Sequence, residues 1–291
     1  MPNISTLIKD IQHLVGNNGW FTEEVAKTYS TEVTDRLRRS FGTRQDVPRL
    51  RLSQMGPKCP NALWHSIHTP GLAEPLPASA VVKYTYGHLI EALVIAWTKQ
   101  AGHEVTGEQD ELFLLDVAGH RDCVIDGCVV DVKSTSSRSF IKFRDKSLKD
   151  FDSFGYLDQL DGYLAASADD PLVRTKDVGY LLAVDKQLGH MVLYEHKLRL
   201  DNIRDRIRRY KEIVSRSQPP TCTCGTVSDG QSGNIKLDIQ AAYSAFKHVC
   251  FPGLRTFLYS DGPRYLTKVV RRPQRSDGSY VIEVDKHGNV I

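Results

Sequence analysis

Apolar positions recur at helical spacing through Ile4, Leu7, Ile8, Ile11 and Leu14, and the same period runs through much of 21–41. A Pro-rich, irregular stretch over 43–78 follows, with Arg49, Arg51 and a short Cys59–Trp64 segment inside it. The spacing then predicts a long helix from about Ala80 to Gln100, with Leu89, Leu93 and Trp97 on one stripe. From Leu112 to Lys133 the pattern becomes strand-like, with a turn signal at Asp126-Gly127. A helix over 155–167, two strands at Gly179–Asp185 and Met191–Tyr194, and a basic helix over about 196–216 continue the series. After a break at Ser217–Pro220 and a Gly/Ser-rich stretch (225–233), a short helix near 238–248 leads into a tail with strand character.

Helix, three strands, helix, two strands, helix is the order of an α/β fold with a central mixed sheet flanked by helices. We expect a helical N-terminal extension over 1–45 and one domain over 46–291, whose Cys-bearing C-terminal part spans about 218–275. No internal repeat is found.

Composition changes this picture little. The 291 residues are 41% hydrophobic and 25% charged, ordinary for a soluble globular chain. No apolar run approaches the roughly 18 residues of a membrane span, and the N-terminus lacks the basic-then-apolar build of a secretory signal. The expected location is the cytoplasm. A net charge of +3 does not by itself argue for nucleic acid. Local charge says more. Between Lys197 and Arg216 eight Lys/Arg face Asp201, Asp205 and Glu212, and Lys268, Arg271, Arg272 and Arg275 cluster around Pro273. Such stripes suit a phosphate backbone, and a solvated helix face explains them equally well.

Chemistry concentrates in Gly119-His-Arg-Asp122-Cys-Val-Ile-Asp126-Gly127-Cys-Val-Val-Asp131-Val-Lys133. Asp-Gly is a preferred two-residue hairpin loop because both positions tolerate positive φ. Closing it sets Ile125 against Cys128, and counting outwards sets Asp122 against Asp131. Paired carboxylates at such spacing repel and call for a cation between them, and a hard divalent ion suits oxygen ligands. Alternation puts Asp131 and Lys133 on one face and Val130 and Val132 on the other. Two acids and an amine on one face can hold a metal and orient a water beside a phosphate. A surface hairpin with solvated Asp residues is the bland alternative, and Val129–Val132 is too apolar for it.

G-x-x-D followed by D-x-K at this spacing resembles motifs II and III of the PD-(D/E)xK nucleases, closest to their RecB-like branch. The resemblance implies a restriction-endonuclease-like core, Mg²⁺ or Mn²⁺ as cofactor, and a Glu or His ligand on the helix before the hairpin. Gly87-His88-Leu-Ile-Glu91 supplies both types on one helix face, and Glu91 resembles the lambda-exonuclease-type ligand. Gln159-Leu-Asp-Gly-Tyr163 is similar to the branch's Q-x-x-x-Y motif, which implies that Gln159 holds substrate or Lys133 and that Tyr163 lines the DNA path. The implied metal ligands are Glu91, Asp122, Asp131 and the Val132 carbonyl, with His88 second to Glu91; Lys133 would position or activate the attacking water. Ser134, Thr135, Arg138, Lys142 and Arg144 follow directly and are candidate phosphate contacts, although a solvated loop explains them as well.

Ser53-x5-Cys59-x4-Trp64 resembles the entry of the iron–sulfur nucleases of this branch, the CRISPR-associated exonucleases among them. There one cysteine before the nuclease motifs and three after them bind a 4Fe–4S cluster. This chain departs from that pattern. Ala241 and Ser244 stand where two of the later cysteines belong, and Cys222 and Cys224 are the available replacements beside Cys250. A cluster on Cys59, Cys222, Cys224 and Cys250, a zinc site on the same four, and a lost cluster all remain open at this point. Cys123 and Cys128 read as packing residues.

The function implied is DNA phosphodiester hydrolysis, with an exonuclease on single strands or duplex ends expected. A bacterial or phage source fits, the latter placing the protein in the host cytoplasm. A junction-resolvase-like endonuclease uses the same core. A non-catalytic DNA-binding or assembly factor is a third reading, disfavoured because binding alone does not require facing carboxylates.

Overall fold

The computed structural model describes residues 2–17, 19–41, 47–286 and 288–291; part of the irregular stretch expected after residue 42 lies outside them. The helices are α1 (Leu7–Gly16), α2 (Glu23–Phe41), α3 (Pro60–His68), α4 (Ala78–Gln100), α5 (Ser137–Arg144), α6 (Leu148–Phe151), α7 (Tyr156–Ala166), α8 (Leu200–Ser215), α9 (Ile239–Ala242) and α10 (Lys247–Cys250). The strands are β1 (Val105–Thr106), β2 (Glu111–Leu114), β3 (Val117–His120), β4 (Cys123–Ile125), β5 (Cys128–Thr135), β6 (Thr175–Asp185), β7 (Met191–Lys197), β8 (Thr226–Ser228), β9 (Ile235–Leu237), β10 (Arg255–Tyr259), β11 (Gly262–Lys268) and β12 (Ile282–Val284). Contacts divide the chain into two compact units: Met1–Val47, Arg51–Gly56 and Pro77–Ile207 form one, and Pro48–Leu50, Pro57–Leu76 and Arg208–Ile291 the other. Among the described residues no helix is long and apolar enough to cross a membrane.

The first unit is built on a five-stranded sheet of order β1-β4-β5-β6-β7. β4 and β5 are antiparallel, β5 and β6 parallel, and β6 and β7 antiparallel, so the sheet is mixed, as the element order implies. The parallel step needs a crossover, which α5, α6 and α7 provide. On one face Leu7 and Ile11 of α1 and Val94 and Ile95 of α4 pack with Cys123, Ile125, Val130, Val132, Leu182 and Val184. Phe140 and Phe143 of α5 and Leu160 and Leu164 of α7 are also buried. Gly179 on β6 is what lets α7 approach: a Cβ there would sit 3.1 Å from Leu160 and Leu164 side-chain atoms.

The helix expected over about 80–100 is present as α4. On it Leu89, Leu93 and Trp97 are half-buried, while Ala92, Val94, Ile95, Ala96 and Thr98 are sealed. The reason is that α2 and the sheet both cover α4, so small residues on two sides are enclosed. Two other expectations change. The irregular stretch contains the helix Pro60–His68, opened by a proline in its first turn. Finally, the short helix near 238–248 is two separate turns.

In the second unit the strands form an antiparallel sheet of order β12-β10-β11-β9-β8. Leu63, Trp64, Tyr210, Ile213 and Phe246 are buried in this unit, and two small clusters lie with its sheet. One cluster is Leu237, Ala241 and Leu254, and the other is Phe257, Leu266 and Val281.

Candidate active site

The hairpin closes as its loop residues require. Asp126 and Gly127 have φ of 50° and 77°, the paired positive values of the favoured two-residue turn. Ile125 then pairs with Cys128, and Cys123 with Val130. Asp122 therefore sits at the position facing Asp131, and its Oδ2 accepts a 2.8 Å hydrogen bond from the Val132 amide. Val130 and Val132 enter the α1/α4 core, while Asp131 and Lys133 lie on the opposite face, where Gln159 of α7 reaches both.

Asp131 is fully buried. The Lys133 ammonium stands 2.6 Å from its Oδ2, and Gln159 Nε2 donates to its Oδ1 at 3.2 Å. Gln159 Oε1 accepts from Lys133 Nζ at 3.2 Å, and its Nε2 also donates to the Tyr163 hydroxyl at 2.9 Å. One amide thus bridges acid, amine and phenol, which the one-turn spacing of 159 and 163 makes possible. Tyr156 adds its ring, with Lys133 Nζ 5.0 Å from the centroid. Sequence reasoning did not single out Tyr156; its place at the start of α7, three residues before Gln159, is the signal that was there to read.

Electrostatics single out the same side chains. Burial pushes Asp122 well above the usual carboxylate range, with the charges of Glu91 and Asp131 adding to the push. Asp131 is raised by burial too, against the opposing pull of Lys133. Burial alone would lower Lys133, but Asp131 and Asp122 outweigh it and hold the side chain as an ammonium. Burial raises the Tyr163 phenol, assisted by the same two aspartates.

Glu91 lies on α4, buried, and its neighbours were only partly foreseen. Burial would raise its carboxyl, yet His88 and Arg36 outweigh that and bring it below its ordinary value. Arg36 Nη1 is 2.9 Å from Oε2, Gln109 Nε2 donates to Oε1 at 2.9 Å, and His88 Nδ1 is 4.0 Å away. Arg36 lies on α2, whose helical period carried no sign that one arginine is buried against the hairpin's neighbour.

The candidate phosphate contacts fare differently. Arg138 is exposed and Ser134 half-buried. Lys142 Nζ donates to the Phe151 carbonyl, and Arg144 pairs with Asp145 at 2.8 Å. Thr135 is buried, and its hydroxyl is spent on the Val184 carbonyl inside the sheet. Alternation keeps it on the Asp131–Lys133 face, and it is the pairing with β6 that encloses its hydroxyl. In the basic helix, Arg206 reaches Asp158 at 2.8 Å, and Arg199 just before it reaches Asp158 and Asp161. These two arginines anchor α7 through its aspartates.

The cysteines separate cleanly. Cys123 and Cys128 are buried, with their thiols facing the Val130 carbonyl and the Thr175 hydroxyl. Cys59, Cys222, Cys224 and Cys250 converge, their sulfurs all within 4.8 Å of one another, and among the described residues they are the one such His/Cys/Asp/Glu set. These four can hold a metal ion. Glu91 raises both Asp122 and Asp131, Asp131 adds to the rise of Asp122, and all three carboxylates are engaged by protein donors as described above.

No family profile matches the chain, and no curated protein matches it. Among solved structures, one described as SSO0001 aligns over 76% of this chain and 95% of its own, at 14% identity and a TM-score of 0.43. LHK-Exo in complex with dAMP aligns over 64% of this chain and 91% of its own, at 11% identity and a TM-score of 0.40. The structure described as an alkaline exonuclease (LHK-Exo) from Laribacter hongkongensis covers 61% of this chain and 91% of its own, at 10% identity and a TM-score of 0.37. At this distance the functional reading rests on the side chains of this chain.

Proposed function

We propose that this chain is a divalent-metal-dependent deoxyribonuclease acting at strand ends, with Glu91, Asp122, Asp131 and Lys133 as its reacting groups. The observation that carries the reading is the Asp131–Lys133 pair at 2.6 Å with Asp122 at the facing strand position. A structural salt bridge needs one acid; a second acid opposite, pushed upward by burial and by its neighbours' charge, is an excess of negative potential that a cation relieves. The donors are carboxylate oxygens, the set that suits Mg²⁺ or Mn²⁺. Asp122, Asp131, Glu91 and the Val132 carbonyl would hold the ion. When bound, such an ion supplies Lewis-acid polarisation of a phosphoryl oxygen and an acidified water.

The chain's own groups do the rest. Lys133, kept as an ammonium, donates to a non-bridging phosphate oxygen and orients the attacking water. Gln159 fixes Lys133 and Asp131 in register, so that neither group reorganises when DNA arrives. Tyr163 holds Gln159 in turn. Arg138 at the exposed start of α5 is placed to meet the backbone of the substrate, a positioning contact without sequence information.

The test is digestion of end-labelled linear DNA, single-stranded and duplex, beside a circular substrate, with Mg²⁺ or Mn²⁺. Metal-dependent loss of linear DNA that Asp131→Ala and Lys133→Ala abolish is the expected result, with circles spared. Cleavage of circles would make the enzyme an endonuclease. No cleavage with either metal would overturn the enzymatic reading and leave a DNA-binding factor.

A further inference from the structure

Four cysteines that meet at one point admit few explanations, and the distances choose among them. Cys59 Sγ lies 3.7 Å from Cys222 Sγ and 3.9 Å from Cys250 Sγ, and all four sulfurs fall within 4.8 Å of one another. A disulfide holds its sulfurs at about 2.05 Å, so these are four thiols. An ion with metal–sulfur bonds of about 2.3 Å and tetrahedral angles sets its ligands about 3.8 Å apart, the edge of the tetrahedron. A cubane cluster bonds each thiolate to a different iron at a corner of a cube, which spreads the sulfurs far wider than one shared ion does. The observed separations match the single ion and leave no room for the cube.

We propose that Cys59, Cys222, Cys224 and Cys250 hold one structural zinc ion in tetrahedral thiolate coordination, in place of the iron–sulfur cluster that the sequence resemblance implies. The backbone is already arranged for thiolates. The Thr223 amide donates to Cys59 Sγ at 3.4 Å, and the Cys224 amide donates to Cys222 Sγ at 3.4 Å. Cys59 caps the N-terminus of α3, where the helix's free amides favour a negative sulfur. Tetrathiolate tetrahedra without sulfide select Zn²⁺ among the common divalent ions.

The surrounding unit supplies the reason for such a site. Cys222 and Cys224 sit on a segment with no helix or strand, and Cys59 is 163 residues earlier in the chain. Only chain-distant segments meet at these sulfurs, so an ion there would fix segments that local structure does not. A zinc ion that ties α3, the 217–225 segment and α10 together contributes folding free energy directly. The inference does not depend on the nuclease reading.

The experiment is metal analysis of the full-length protein, purified anaerobically without chelator, followed by Co²⁺ exchange. We expect one zinc per chain, no acid-labile sulfide, a colourless protein, and after Co²⁺ exchange the intense visible bands of a tetrahedral cobalt–thiolate site. Cys224→Ser should lose the zinc, and Cys123→Ala should keep it. Asp131→Ala should also keep it, which separates this site from the carboxylates whatever the DNA assay shows. Stoichiometric iron, with or without sulfide, would overturn the proposal. So would a folded wild-type protein that carries no metal and fails to take up Co²⁺.

Discussion

The Arg36 guanidinium lies 2.9 Å from the Glu91 carboxylate, and solvent reaches only 4% and 9% of the two side chains. A buried pair of this kind gains little over an apolar replacement, but breaking it by removing one partner leaves an uncompensated charge. Arg36→Ala is therefore expected to cost about 3 kcal/mol in urea denaturation of the metal-free protein. In a Glu91→Gln background the same substitution should cost much less, because no carboxylate is stranded. Equal costs in both backgrounds would mean that Arg36 contributes through its other contacts, the Glu32 pair at 3.5 Å among them. Since Arg36 stands where a metal would also seek Glu91, Mn²⁺ should raise the Tm of Arg36→Ala more than that of the wild type.

Asp122 makes the opposite contribution. Burial, then Glu91 and Asp131, raise its folded-state value above the unfolded one. The folded protein consequently binds more protons in the window between the two values, and stability falls as pH rises through it. The contribution is fully present below the unfolded value of about 3.9 and lost above the folded one. Asp122→Asn keeps the acceptor for the Val132 amide and removes the charge. It should abolish cleavage while stabilising the metal-free protein by about 1 kcal/mol near neutrality. The gain should shrink as pH is lowered towards the unfolded value. A variant less stable than the wild type at every pH would show that the hydrogen bond outweighs the charge.

Much of this was legible in the chain because two short-range rules suffice for the hairpin. Asp126-Gly127 sets the turn, the turn sets the register, and alternation then assigns Asp131 and Lys133 to one face and Val130 and Val132 to the other. The helix bearing Gln159 and Tyr163 follows from a one-turn spacing. What the sequence could not yield depends on which elements cover which. Nothing local distinguishes Arg36, buried against Glu91, from Arg38 two residues on, which is largely exposed. The same holds for Thr135, whose hydroxyl looks free until β6 is laid beside it. The sulfur separations that distinguish one ion from a cluster are likewise invisible in a list of cysteine positions.

Gln159 joins Asp131, Lys133 and Tyr163 through one amide. Gln159→Ala should leave the fold intact and lower kcat by about 10–100-fold, the effect of loosening reacting groups by a fraction of their contact distance. DNA affinity should change little. Tyr163→Phe removes the acceptor for the Gln159 amide and should weaken cleavage less. The double variant should fall short of the product of the two effects, since both act through the same amide. Single-turnover kinetics separate the outcomes: multiplicative losses would mean that Tyr163 acts on the substrate independently of Gln159.

Asp161 lies on the same helix as Gln159 but belongs to the anchor rather than to the reaction. Its carboxylate accepts from His196 Nε2 at 2.7 Å, from the Arg199 amide at 2.9 Å and from Arg199 Nε at 2.8 Å, and solvent barely reaches it. Asp161→Asn turns an amide N–H₂ towards these donors and leaves Arg199 with one partner fewer. A loss of about 3 kcal/mol is expected, as for other buried charged networks that lose one member. Because the side chain does not touch Lys133, Asp131 or Tyr163, cleavage should follow the folded fraction measured by circular dichroism as temperature rises. A fully folded Asp161→Asn protein that has nonetheless lost cleavage would place Asp161 in the reaction itself, and α7 would then carry the chemistry along its whole inner face.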